Sequence, residues 1–298
     1  TYDRLLGHVD EVVRTLRGMG IGRNDRVALA LPEGPEMAVA FLAVAAGATC
    51  VPLDPAWPAA EYAAHLADLA ARALLIPAGQ ETPARAVALA QGIALIELAP
   101  VPGGQAGLFT LHGAAGARPA TPGPARSSDV ALLLQTSGTT ARPKRVPLTH
   151  ANLAASAQSI AASLGLGAED RCLDVMPLFH IHGLMVLLAS LAAGGSVGCP
   201  PRFDVTRFAS WLEELRPTWY SAVPTMHRAI VTLGGLTPSP AARAPLRLVR
   251  SSSAPLPPRL GIEIEALFGA PVIEAYGMNE ASHQIASNPL PPRPRKPG

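Results

Sequence analysis

The chain has 298 residues, of which 49% are hydrophobic and 15% charged, with a formal net charge of +2. That length carries one large or two medium domains with a sizeable core, and the composition excludes a wholly disordered chain. The small net charge, without a basic stripe interleaved with aromatics, argues against a dedicated nucleic-acid binder.

From the start, Tyr2 to Met19 places Leu5, Leu6, Val9, Val12, Val13 and Leu16 at spacings of three and four, which predicts an amphipathic helix ending at Gly18 and Gly20. Arg26–Leu31 reads as a buried strand, Pro35–Ala46 as a helix and Ala48–Leu53 as the next strand, stopped by Pro55. A helix over Pro58–Leu69, a strand over Ala73–Ile76, a helix over Pro83–Ala90 and a strand over Ile93–Leu98 continue the alternation of a parallel sheet with helices on its faces. Pro100 to Asp129 changes to Pro, Gly, Ala and Ser without sustained periodicity and reads as a flexible connection. Val130–Leu134 is a short apolar run, the pattern of a strand covered on both faces.

A helix over His150–Leu164 follows, with Thr149 as cap and Gly165 as stop. The alternation then resumes with Cys172–Met176, Gly183–Ala193, Ser196–Cys199, Val205–Leu215, Thr218–Ala222, Pro224–Leu233, Leu246–Arg250, Pro257–Phe268 and Val272–Ala275. The fold expected is α/β: two similar lobes of mostly parallel sheet flanked by helices. The lobes cover 1–99 and 130–298, joined by the connection at 100–129. The most apolar helix, around Leu184–Ala193, is too short to span a bilayer, which takes about 20 residues. The opening residues carry no signal-peptide pattern. Cys50, Cys172 and Cys199 form no Cys-x-x-Cys pair, so neither a disulfide framework nor a zinc site is indicated. A soluble cytoplasmic protein is expected, or a peroxisomal one if a targeting C-terminus lies outside this sequence.

The stretch after Leu134 concentrates chemistry at the carboxyl end of a strand, where open α/β sheets collect ligands. Thr136, Ser137, Thr139 and Thr140 offer hydroxyls, Gly138 lets the main chain approach a ligand, and Lys144 adds a mobile positive charge. Partial matches to such a pattern are ordinarily polar surface loops. A Walker loop is excluded because Pro143, not Gly, precedes the lysine. Over nine consecutive positions, Thr136 to Lys144, the stretch resembles the phosphate loop of adenylate-forming enzymes, with Ala141 where that family usually has Gly or Ser and Arg145 where it has Gly.

That resemblance implies the fold of the N-terminal part of those enzymes and extends to other segments. Tyr276, Gly277 and Glu280 match the family's Tyr-Gly-x-Thr-Glu motif, with Asn279 in place of the Thr. The implied roles are Tyr276 stacking on adenine, Asn279 touching the α-phosphate, and Glu280, with Thr140, holding magnesium. Arg250-Ser-Ser-Ser-Ala-Pro255 resembles the adenine-side segment, which brings in Ser253 and Ala254. Lys144, Thr136, Ser137 and Thr139 would sit on the β and γ phosphates. In Met176-Pro-Leu-Phe-His-Ile-His-Gly183 the implied roles are His180 as a gate beside ATP and His182 facing the carboxylate substrate. Without the resemblance such a pair reads as one buried and one exposed histidine, with no third metal ligand in view.

Within the family the wording is similar to oxalate–CoA ligases, in Phe179-His-Ile-His-Gly, Thr218-Trp-Tyr-Ser-Ala-Val-Pro-Thr, Arg250-Ser-Ser-Ser-Ala and Glu280-Ala-Ser-His-Gln. A polar pocket of His182, Ser253 and His283 would suit the distal carboxylate of a small diacid. The implied reaction is ATP-dependent adenylation of a carboxylic acid followed by transfer to CoA, with magnesium. The family continues with a ribose-binding Asp, a hinge and a lid carrying a lysine, and this sequence is expected to stop before them. Three readings follow: a ligase whose lid lies elsewhere or on a partner, a nucleotide- or acyl-binding module without turnover, and a degenerate relative kept for protein interactions.

Overall fold

The computed structural model describes residues 1–136, 144–233 and 246–296, which fall into two compact units, Thr1–Ala151 and Asn152–Gly298. In the first unit, α1 (Tyr2–Gly18) buries Val9, Val12 and Leu16, the stripe that the three-and-four spacing predicts. β1 (Arg26–Leu29), α2 (Pro35–Gly47), β2 (Thr49–Pro52), α3 (Ala59–Leu69), β3 (Ala73–Pro77), α4 (Pro83–Ala90) and β4 (Ala94–Pro100) then alternate as expected. α2 opens with Pro35, whose missing N–H is not needed in a first turn, and buries most of its length. Thr82 caps α4, its hydroxyl accepting from the Arg85 N–H at 3.2 Å.

Three short strands complete this unit: β5 (Phe109–Gly113), β6 (Val130–Thr136) and β7 (Lys144–Thr149). Among the described residues the sheet has the order β5-β4-β3-β1-β2-β6-β7. β4, β3, β1, β2 and β6 run parallel, while β5 and β7 are antiparallel to their neighbours. Ala131, Leu132, Leu133 and Leu134 of β6 are all buried, as a strand covered on both faces requires.

Two sequence expectations are corrected here. The first lobe does not end at residue 99, because β6 pairs with β2 through Cys50 and Leu132 and carries β7 with it into the first sheet. The 100–129 connection is not structureless either. β5 pairs with β4, Leu111 opposite Leu98, and the Phe109 N–H reaches His8 Nε2 at 3.4 Å. Gly20, at φ +80°, lies so close to Ala117 that an added Cβ would come within 2.6 Å of its carbonyl oxygen. The segment ends in a fork: Arg23 donates to Asp129 at 2.6 and 2.8 Å, and these bonds hold the Asp129 carboxyl well below the usual carboxylate range.

The second unit contains α5 (His150–Ser163), β8 (Arg171–Asp174), α6 (Ile181–Ala192), β9 (Ser196–Gly198), α7 (Phe208–Leu215) and β10 (Trp219–Ala222). It continues through α8 (Pro224–Thr232), β11 (Leu248–Ser251), α9 (Pro258–Phe268), β12 (Val272–Met278) and β13 (His283–Ser287). Among the described residues its sheet has the order β13-β12-β11-β10-β8-β9, parallel except for β13. Tyr220, Phe208, Trp211, Val249 and Ile264 pack into the core on one side of this sheet. A second fork stands here, where Arg247 donates to both Asp170 oxygens at 2.7 Å and to the Leu164 and Gly165 carbonyls. Among the described residues no helix is long and apolar enough to cross a membrane.

Candidate functional site

β11 is buried along its whole length. In such a strand Leu248 and Val249 need no explanation, but Arg250, with no exposed surface, does. Its guanidinium lies across the sheet, Nη1 at 3.2 Å from His182 Nε2 and 3.3 Å from Ser221 Oγ, Nη2 at 3.3 Å from His283 Nδ1 and 3.0 Å from Gln284 Oε1. None of these partners is a carboxylate. Burial pushes the Arg250 guanidinium down to about 10, since removing a charge from water disfavours it.

His182, in the first turn of α6, brings the cluster together. Its Nε2 is 2.7 Å from Ser221 Oγ, its Nδ1 is 3.0 Å from Ser253 Oγ, and its ring stacks on His283 with centroids 4.8 Å apart. Burial, then the neighbouring Arg250 charge, pushes His182 well below its ordinary value and His283 down to about 3. Both imidazoles are therefore neutral near pH 7. His283 Nε2 and Arg250 Nε are buried without a hydrogen-bond partner among the described residues. Buried donors rarely stay unpartnered without a functional reason.

The hairpin β12–β13 sets His283 in place. Met278 faces His283 and Tyr276 faces Ala286, with a register shift between Tyr276 and Gly277. A Cβ on Gly277 would collide with the His283 carbonyl, so the glycine of the Tyr-Gly pair is required by the backbone crossing beneath it. Ser282 and His283 take φ of +54° and +87° and Ser253 takes +71°, conformations that L residues adopt only when their surroundings impose them.

Ser253 also faces outward. With Ala254, Pro255, Glu274, Tyr276 and Gly277 it lines a cleft of about 320 Å³ that Ser287, Asn288 and Lys296 also line. Tyr276 is 65% exposed as a residue, which leaves it accessible for stacking on a planar ligand. The structure thus brings together His182, Ser253 and His283 in one cluster and Ser253, Ala254, Tyr276 and Gly277 in one cleft. Asn279 and the exposed Glu280 stand on the 3-10 turn after β12. His180 is exposed just before α6, its ring tilted against Phe179 at 4.4 Å. Among the described residues no three His, Cys, Asp or Glu side chains gather to hold a metal. One carboxylate with substrate phosphates is the donor set magnesium accepts, so Glu280 fits an ion arriving with a nucleotide.

In the first unit, Thr136 ends β6 and pairs in register with Lys144, which opens β7 and is exposed. Ser137, Gly138, Thr139 and Thr140 lie outside the described residues. Arg145 is engaged by Asp68, with Nη2 to Oδ1 and Nε to Oδ2 both at 3.1 Å. Sequence reasoning missed Arg250, Ser221 and Gln284 as members of the buried cluster. The signal was a second arginine, Arg250, following Leu248 and Val249 inside a strand whose first arginine, Arg247, stands before it.

The sequence profile described as AMP-binding enzyme matches residues 1–298. The chain is 41% identical to a probable CoA ligase, CCL9, of Humulus lupulus over 98% of this chain and 56% of that protein. It is 40% identical to the oxalate–CoA ligase of Arabidopsis thaliana over 100% of this chain and 59% of that protein. The ATP-bound crystal structure of MatB from Rhodopseudomonas palustris superposes with a TM-score of 0.80 at 27% identity, covering 100% of this chain and 58% of that one. The chain therefore spans between half and two thirds of the length of these relatives.

Proposed function

The chain belongs to the AMP-binding enzyme family, and from that premise we propose that it carries the ATP- and acid-binding apparatus of an acid–CoA ligase whose acid is small and bears a second carboxylate, as oxalate does. The observation that supports this most is the His182–Ser253–His283 cluster, which meets through Ser253 the cleft lined by Tyr276. A long-chain acid would call for apolar walls in its place.

In the first step a carboxylate oxygen attacks the α-phosphorus of ATP and the bond to the bridging oxygen breaks, releasing pyrophosphate. In the second, the CoA thiol attacks the acyl carbon and AMP leaves. Tyr276 stacks on adenine beside Ser253 and Ala254, and the Asn279 amide donates to the α-phosphate. Thr136, Ser137, Thr139 and Lys144 receive the β and γ phosphates, with Gly138 admitting the main chain. Magnesium, held by Glu280 and Thr140, would offset the charge developing on pyrophosphate. His180 gates the ATP side and His182 faces the acid. Little covalent work falls to the protein, so rate comes from positioning and charge.

The test is acid-dependent ATP–pyrophosphate exchange with magnesium, comparing oxalate with acetate, a medium-chain fatty acid and an aromatic acid. Oxalate is expected to support exchange, and Lys144→Ala to reduce it on the order of 100-fold. Preference for the fatty or aromatic acid would overturn the substrate assignment. No exchange with any acid, alongside ATP binding that depends on Lys144, would make the chain a nucleotide-binding module instead.

A further inference from the structure

A guanidinium has five N–H donors and no acceptor. Any ring nitrogen that accepts from it must present a lone pair. Arg250 reaches two such nitrogens with its two arms, His182 Nε2 at 3.2 Å and His283 Nδ1 at 3.3 Å. Ser221 Oγ accepts from Arg250 at 3.3 Å and turns its own O–H to His182 Nε2 at 2.7 Å, so that nitrogen is an acceptor for both groups. A neutral imidazole has one proton, which on this arrangement sits on the opposite nitrogen in each ring. In His182 that is Nδ1, 3.0 Å from Ser253 Oγ, so the serine accepts there and keeps its own O–H to donate elsewhere. In His283 it is Nε2, buried and without a partner among the described residues.

The fourth partner is fixed in the same sense. Ser163 donates to the Ile160 carbonyl at 2.9 Å and so accepts from Gln284 Nε2 at 3.0 Å, which turns Gln284 Oε1 toward Arg250. The arginine is ringed by lone pairs on neutral groups. Arg23 and Arg247, by contrast, each face both oxygens of an aspartate.

From this geometry we infer that Arg250 is a positioning residue that locks His182 and His283 in opposite tautomers, so that the cluster offers hydrogen-bond donors, His283 Nε2–H and Ser253 O–H, to a second anionic group on the acid. The inference rests on the acid–CoA ligase reading and deepens it. The lone pairs around Arg250 engage its Nη1 and Nη2 groups without neutralising it, and a substrate carboxylate supplies the missing charge. Depression of both histidine pKa values keeps the rings neutral, which the tautomer argument requires.

The experiment uses the full-length protein labelled with ¹⁵N-histidine, in long-range ¹H–¹⁵N spectra that separate protonated from bare ring nitrogens. Signals are assigned by their loss in His182→Gln and His283→Gln. Without ligand, His182 is expected as the Nδ1–H form and His283 as the Nε2–H form. Oxalate is expected to shift the His283 Nε2–H signal, and oxamate, in which a neutral amide replaces one carboxylate, to bind at least ~30-fold more weakly. In Arg250→Lys, which keeps the charge but cannot fork, one ring is expected to populate both tautomers. Either ring in the reverse tautomer in the wild type, equal response to oxalate and oxamate, or no response to any acid overturns the inference. Pyrophosphate exchange on the same preparation separates the failures: exchange with silent rings sinks only the role of Arg250, whereas no exchange with any acid sinks the ligase reading.

Discussion

Arg247 and Arg250 stand three residues apart, one just before β11 and one inside it, and their surroundings are opposites. Arg247 forks onto Asp170 and touches two carbonyls at the rim of the sheet. Arg250 has no exposed surface and meets two histidines, a serine and an amide. The first is a clasp, complete in itself. The second is charged, desolvated and without a counter-ion among its partners, which evolution tolerates where a ligand completes the set. The first unit repeats the clasp with Arg23 and Asp129.

The comparison can be broken in order of effect on stability. Arg23→Ala leaves Asp129 without its cation; the two side chains are 9% and 10% exposed, so the largest loss of stability in this series is expected in denaturant titration. Asp170→Ala should lose less, about 1–2 kcal/mol, because Arg247 is 35% exposed and solvent screens the pair. Both variants should keep the oxalate KM in pyrophosphate exchange; a raised KM would erase the distinction between clasp and site.

Acid provides the next test. Burial holds His227 near 4 and His283 near 3, with His182 also depressed. As pH falls below about 6.5 the unfolded chain takes up protons that the native rings refuse, so stability is lost with falling pH, by about 1 kcal/mol per ring between pH 6.5 and 5.5. His283→Asn should remove one ring's share of that loss; an unchanged slope would show that His283 titrates normally. Arg250→Met should leave stability within about 1 kcal/mol of wild type, relief of desolvation offsetting lost hydrogen bonds, while weakening oxalate. Lys144→Ala, at an exposed position, should change stability by less than about 0.5 kcal/mol; a larger drop would make the lysine part of the fold.

What the sequence makes legible follows from which forces are local. The parallel strands and their helices are readable because each carries its own apolar run or stripe, as in Arg26–Leu29 or α1. β5, β7 and β13 escape because an edge strand paired on one side needs little apolar sequence; Phe-Thr-Leu-His-Gly and His-Gln-Ile-Ala-Ser show no run to detect. The lobe boundary escapes for a related reason, since the β2–β6 pairing joins residues about eighty positions apart. His182, Ser253 and His283 are named together in the sequence only through the segments that resemble oxalate–CoA ligases, and the structure brings the three into one cluster. Arg250 is not singled out, because its partners lie 29 to 68 positions away in sequence and nothing local marks it as more than the end of a strand.

One hairpin carries both Tyr276 and His283, and Gly277 lets its arms cross closely enough to hold them in register. The cleft and the buried cluster are thus not independent modules that mutation can tune one at a time. A single insertion in the turn between the arms would displace the exposed ring and the buried imidazole together. Inheritance along this lineage should treat the hairpin as one cassette, and anyone redesigning acid preference on this scaffold would do best to transplant it whole.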